Sequence, residues 1–127
     1  MNIRRHCPSL LTCAVVVGTL AESWNGSTWT VATTPNRTPR NDNLQAVSCV
    51  NSSNCVAAGF WQSSASDGKT LIESWNGSRW SDVGSPDPGA DNQLHGVACT
   101  ATTNCEAVGY TGNGSLVSDK TLVLTGS

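Results

Sequence analysis

The chain has 127 residues, only 13% of them charged, with a net charge of −2 and a pI near 5.5. One domain is expected at this length, and the seven basic residues are too scattered to form the cationic stripe that a phosphate backbone requires, so no nucleic-acid partner is expected. No apolar run reaches the roughly 18 residues of a membrane-spanning helix, whereas low charge, abundant Ser, Thr, Asn and Gly, and five tryptophans describe an all-β chain with many turns.

Residues 1–21 admit two readings. Arg4-Arg5-His6 followed by PSLLTCAVVVGTLA has the basic and then apolar layout of a signal peptide. The same stretch holds Cys7 and Cys13, then small apolar residues and Gly18, a pattern that recurs twice downstream. The specific spacing favours a partial repeat unit, with Met1 as an internal start in a longer array.

The hexapeptide ESWNGS follows at residues 22–27 and returns at 73–78, and each copy is followed by a tryptophan, Trp29 or Trp80. The similarity extends well beyond it. Leu44-Gln-Ala-Val-Ser-Cys49 answers Leu94-His-Gly-Val-Ala-Cys99, and Asn54-Cys-Val-Ala-Ala-Gly-Phe60 answers Asn104-Cys-Glu-Ala-Val-Gly-Tyr110. Each unit reads as four short strands: one ending at the first cysteine, one starting at the second, TLIESW, and a fourth through Arg79–Val83. Along the second strand Ala57 and Gly59 share a face (as do Ala107 and Gly109), which suits close approach of a neighbouring sheet. Asp67-Gly68-Lys69-Thr70 resembles the end of a phosphate loop, but it lacks the upstream glycine and reads as a hairpin turn.

Four antiparallel strands in a repeat of about 50 residues mark a β-propeller blade. The units fall at about 1–43 (partial), 44–93 (complete) and 94–127 (truncated), so about two and a half blades are expected. Closed propellers use roughly 4–8 blades, so the chain is expected either to belong to a longer one or to complete a ring as a homo-oligomer.

The cysteines form three pairs, each with five residues between its members. Zinc sites favour spacings of about two to four, and His6 and His95 are the only histidines. Local disulfides Cys7–Cys13, Cys49–Cys55 and Cys99–Cys105 in an oxidising compartment fit better than metal or reduced thiols.

Asn25-Gly26 and Asn76-Gly77 read as two-residue type I′ turns. That register pairs Trp24 with Ser27 and Glu22 with Trp29, and it gathers residues 20, 22, 24, 27 and 29 on one face. Glu22 then lies between Trp24 and Trp29, and Glu73 between Trp75 and Trp80, with Arg79 on the opposite face. A carboxylate between two indoles is either inter-sheet packing or a carbohydrate site, where an indole covers the sugar ring and the carboxylate accepts from hydroxyls. One carboxylate per repeat suits binding rather than glycoside hydrolysis, which needs two facing acids.

The run ESWNGSxW, a Pro-rich loop, and VSC-x5-CVAAG resembles the propeller repeats of large secreted bacterial proteins, loosely described as kelch-like or galactose-oxidase-like. That resemblance implies the fold and no particular activity. Ile72 to Trp80 is also similar to the blade motif of fucose-binding propeller lectins, which implies that Glu22 and Glu73 bind sugar hydroxyls while the tryptophans stack.

Other signals are weaker. The Asn-x-Ser/Thr sequons at residues 25, 36, 51, 76 and 113 are largely explained by turn chemistry. Asn41-Asp42-Asn43 and Asp87…Asp91-Asn92 lack the spacing of a calcium loop. His95 reads as a core partner rather than a general base, and no constellation for acid–base or nucleophilic catalysis is found. The sequence therefore leads to an extracellular, non-enzymatic binding or scaffold module without metal or cofactor, carbohydrate being its best-motivated ligand. The alternative is a structural piece of a larger secreted propeller protein or enzyme whose active site lies elsewhere.

Overall fold

The structure, a computed structural model, describes residues 4–9, 12–17, 20–24, 27–32, 41–62, 68–112 and 120–126. Every regular element among them is a strand, and every pairing is antiparallel. The first sheet contains β1 (Arg4–Ser9), β2 (Thr12–Val17), β3 (Leu20–Trp24) and β4 (Trp29–Ala32), in chain order. The second contains β5 (Asn41–Asn51), β6 (Asn54–Gln62), β7 (Gly68–Trp75) and β8 (Trp80–Val83), again in chain order. β9 (Asp91–Ala101), β10 (Asn104–Gly112) and β11 (Lys120–Gly126) make the third. The first unit, expected to be partial, still supplies four strands, although β1 and β2 have 6 residues each against 11 in β5 and β9.

The first strand of the second and of the third sheet lies across the sheet before it: β5 against β1 and β2, and β9 against β5, β6 and β7. Strand alternation gives the second sheet two buried faces. One carries Leu44, Val47, Ala57, Leu71 and Trp80 with the Cys49–Cys55 disulfide. The other presents Ala58 and Ile72 to Leu94, Ala107, Leu122 and Leu124 of the third sheet. The first of these faces points away from the third sheet, and Leu44 and Leu71 on it are fully buried. The first sheet is the body available to cover them.

β5 and β9 each carry a bulge, so that Gln45 and His95 have no direct partner in the ladder. The bulge explains Gly59 and Gly109. A β-carbon at Gly59 would run into the carbonyl oxygen of Asn43, and one at Gly109 into that of Gln93. The glycines therefore admit the preceding strand of their own sheet, β5 or β9, which corrects the expectation that they serve an adjacent sheet.

Polar side chains tie the sheets together. Ser48 Oγ accepts from the Cys99 amide at 3.0 Å across the interface between the second and third sheets. Asn92 is fully buried; its Nδ2 donates to the carbonyls of Gly68 (3.2 Å) and Gly89 (2.9 Å), and its Oδ1 accepts from Thr111 Oγ1 (2.6 Å). Asp91 and Asp87 accept from the amides of Gly68 and Thr70. Residues weighed for calcium thus staple loops to β7, and among the described residues no group of three or more His, Cys, Asp or Glu could hold a metal ion.

Cys49–Cys55 and Cys99–Cys105 are disulfides, each linking directly opposed residues of a hairpin. The Cys7 and Cys13 side chains lie outside the described residues, as does Asp67; the other three residues of the turn expected at Asp67–Thr70, Gly68, Lys69 and Thr70, instead open strand β7 and pair with β6, which corrects that expectation. The first hairpin is also set by Asn51, whose Oδ1 accepts from the Ser53 amide (2.8 Å) and Asn54 Nδ2 (2.9 Å). Because the closed loop is short, replacing Cys49 and Cys55 together by alanine is expected to cost about 2 kcal/mol. Urea unfolding midpoints of the two proteins under oxidising conditions measure it.

Candidate functional site

The second ESWNGS hairpin turns differently from the expected type I′ geometry. Gly77 has φ +98°, and among the described residues no non-glycine residue has positive φ, so Asn76 cannot take the first position of a type I′ turn. Instead Asn76 Oδ1 accepts from the amides of Ser78 (2.9 Å) and Arg79 (3.0 Å), while the Asn76 amide donates to the Arg79 carbonyl (3.3 Å). The two-residue turn is therefore Gly77-Ser78, with glycine first as type II′ requires. The asparagine serves as a hydrogen-bond acceptor, and glycine alone takes the left-handed position. Residues 25 and 26 lie outside the described residues, but Trp24 opposite Trp29 shows the same register.

Moving the turn by one residue keeps the faces and changes the partners. Trp75 now pairs with Trp80, and Glu73 with Asp82 rather than Trp80. In the first copy Glu22 pairs with Val31. The Trp75 and Trp80 rings lie 5.7 Å apart, tilted by 41°, and Trp75 Nε1 donates to the Ser52 carbonyl at 3.1 Å. That bond satisfies the polar tip of a half-buried indole and pins it to the β5–β6 turn.

Glu73 is fully buried, and neither carboxylate oxygen has a hydrogen-bond partner among the described residues. Its row on the sheet is Val47, Ala57, Glu73 and Asp82. Burial, then the negative charge of Asp82 and then that of Asp42, push its pKa up from 4.5 to about 7. Near neutrality it is therefore partly a neutral acid, which relieves the like-charge contact of directly opposed carboxylates. Asp82 and Asp42 were not among the expected site residues. The turn register decides the first: placing the turn at Gly77-Ser78 puts Asp82 opposite Glu73.

The six expected site residues separate by environment. Glu73 and Trp80 are enclosed and Trp75 is half-buried; Glu22 is half-buried and Trp29 is 47% exposed. The Trp24 side chain lies outside the described residues. In the third sheet Leu124 stands at the Glu73 position and packs into the apolar interface with the second. The position is thus one of sheet-to-sheet packing, occupied by leucine in one copy and a carboxyl in another. The second copy leaves no open surface at its carboxylate, whereas the first presents an indole to solvent beside one.

His95, expected in the core, is exposed on the β9 bulge. It stacks on Tyr110 at 5.7 Å, approaches Phe60 at 5.9 Å, and pairs Nε2 with Gln93 Oε1 at 3.1 Å. The bulge that displaces it is not legible from alternation alone. No protein-family model matches the chain, and no curated protein or solved structure does either.

Proposed function

We propose that the chain is a non-enzymatic binding and scaffold module built from propeller-type blades, acting outside the cytoplasm. The observation that carries this reading is the repeated stacking, in which sheets of the same strand order follow one another with each first strand across the sheet before. The blade form of each sheet is an inference from that order and from the 50-residue repeat. The two disulfides support an oxidising compartment. Carbohydrate is the proposed ligand, taken on the face of the first sheet that carries Trp29, Val31 and Glu22. An exposed indole with a nearby carboxylate can cover a sugar ring and accept from its hydroxyls.

Binding of the oxidised, folded chain to an immobilised glycan panel tests this. Signal lost in both Trp29→Ala and Glu22→Gln, with unchanged unfolding midpoints, is the expected result. A folded chain that binds no glycan would remove the carbohydrate reading and leave the second one: a purely structural piece of a larger secreted propeller. The enclosure of Glu73 and Trp80 favours that second reading for the second copy of the motif.

A further inference from the structure

The turn of the second ESWNGS hairpin assembles the parts of a reaction that needs only water. Asn76, Gly77, Ser78 and Arg79 are all exposed. Asn76 Oδ1 accepts from two main-chain amides, those of Ser78 (2.9 Å) and Arg79 (3.0 Å). Two such donors polarise the Cγ carbonyl and are placed to hold the negative charge that forms on Oδ1 when a nucleophile adds to Cγ, as an oxyanion hole does. The nucleophile nearest in the chain is the amide nitrogen of Gly77. Glycine has no side chain to obstruct its approach to Cγ. Neither that nitrogen nor Asn76 Nδ2 donates a hydrogen bond among the described residues.

The turn is also braced. Gly77 lies against Ser53, where an added β-carbon would come within 3.2 Å of the serine side chain. Trp75, at the end of β7, donates to the carbonyl of Ser52. The β5–β6 and β7–β8 turns therefore support one another, which keeps Oδ1 and its two donors in position while Cγ changes geometry.

We propose that Asn76-Gly77 is a self-modification site, at which the folded turn promotes deamidation of its own asparagine. Gly77 N gives up its proton and bonds to Asn76 Cγ. The Cγ–Nδ2 bond then breaks, and Nδ2 leaves as ammonia with that proton. The succinimide ring so formed adds one water. Opening at Cγ leaves an aspartate at position 76, which still accepts from the Ser78 and Arg79 amides and preserves the turn. Opening at the main-chain carbonyl leaves an isoaspartate, whose main chain runs through Cβ and Cγ. One more main-chain atom in a two-residue turn separates the Asn76 amide from the Arg79 carbonyl, and it disturbs the adjoining Trp75–Trp80 pair. The modification thus acts on the hairpin that holds the enclosed indole of Trp80.

Tryptic digestion and mass spectrometry follow the reaction, because cleavage after Lys69 and Arg79 isolates Asn76 in the peptide TLIESWNGSR. The oxidised 127-residue chain is aged at one mildly alkaline pH, folded and in urea, beside that synthetic peptide. Conversion at Asn76 is expected to run about tenfold faster in the folded chain than in the urea-unfolded chain or the peptide. Ser78→Pro removes one of the two amide donors at a turn position whose φ suits proline. It is expected to bring the folded rate down to that of the peptide. The proposal is overturned if the folded parent reacts no faster than its unfolded form and the peptide. It is equally overturned if Ser78→Pro, with its unfolding midpoint unchanged, reacts as fast as the parent. A Ser78→Pro chain that does not fold leaves the comparison of folded with unfolded parent to decide. None of these outcomes depends on glycan binding.

Discussion

Glu73→Gln is expected to be more stable than the parent chain by about 3 kcal/mol at pH 8 and equally stable at pH 4. The folded protein holds the Glu73 proton up to about pH 7, whereas the unfolded chain releases it near 4.5. The favourable contribution is complete below the lower value, declines as pH rises between the two, and is lost above the higher one. Above pH 7 the parent must keep a charge in an enclosed row beside Asp82, and glutamine keeps none. Glu73→Leu, which reproduces the residue at Leu124, is expected to be the more stable of the two variants at every pH, because it buries no polar atom. Urea unfolding of the three proteins at pH 4, 6 and 8 measures these differences. Parallel pH dependence in parent and glutamine variant would show that Glu73 is not the group responsible.

The second large effect belongs to the tryptophans. Trp80→Ala should destabilise the chain by about 3–5 kcal/mol, as for other enclosed aromatic side chains. Trp29→Ala, at the same place in the repeat but 47% exposed, should cost less than about 1 kcal/mol. Equal losses at the two positions would mean that the face carrying Trp29 is covered in solution as the face carrying Trp80 is. Denaturant titration at one pH is sufficient to separate the two outcomes. The contrast also guards the glycan test, since Trp29→Ala can be used to probe binding only if it leaves the fold alone.

Much of the fold was legible because the sequence repeats its local chemistry. Paired cysteines at fixed spacing, strand-like runs and Asn-Gly dipeptides locate the strands of the second sheet to within a few residues. Local patterns also gave the shared face of Glu73, Trp75 and Trp80, which depends only on alternation and survives a shift of the turn by one residue. Their partners across the strand were not legible. Type I′ and type II′ turns both use an Asn-Gly sequence, and the choice rests on whether the asparagine side chain caps the turn. The bulges at Gln45 and His95 escaped for a related reason, since an extra residue in a ladder leaves no mark on hydrophobic alternation.

The sequence by itself determined an antiparallel all-β chain of repeated sheets, with cysteines opposed in its hairpins and a carboxylate on the same face as two indoles. These follow from interactions among residues close in the chain, where turn chemistry and period-two alternation suffice. Only the tertiary structure decided which copy of that motif is enclosed. Glu22 and Glu73 lie in the same hexapeptide, so local forces act on them almost alike. Burial is a property of what lies across the face: the second sheet has a neighbour on each side, and the first sheet presents Trp29 and Val31 to solvent. One copy is therefore a buried acid whose pKa is pushed up to about 7, and the other lies on a face with Trp29 and Val31 exposed.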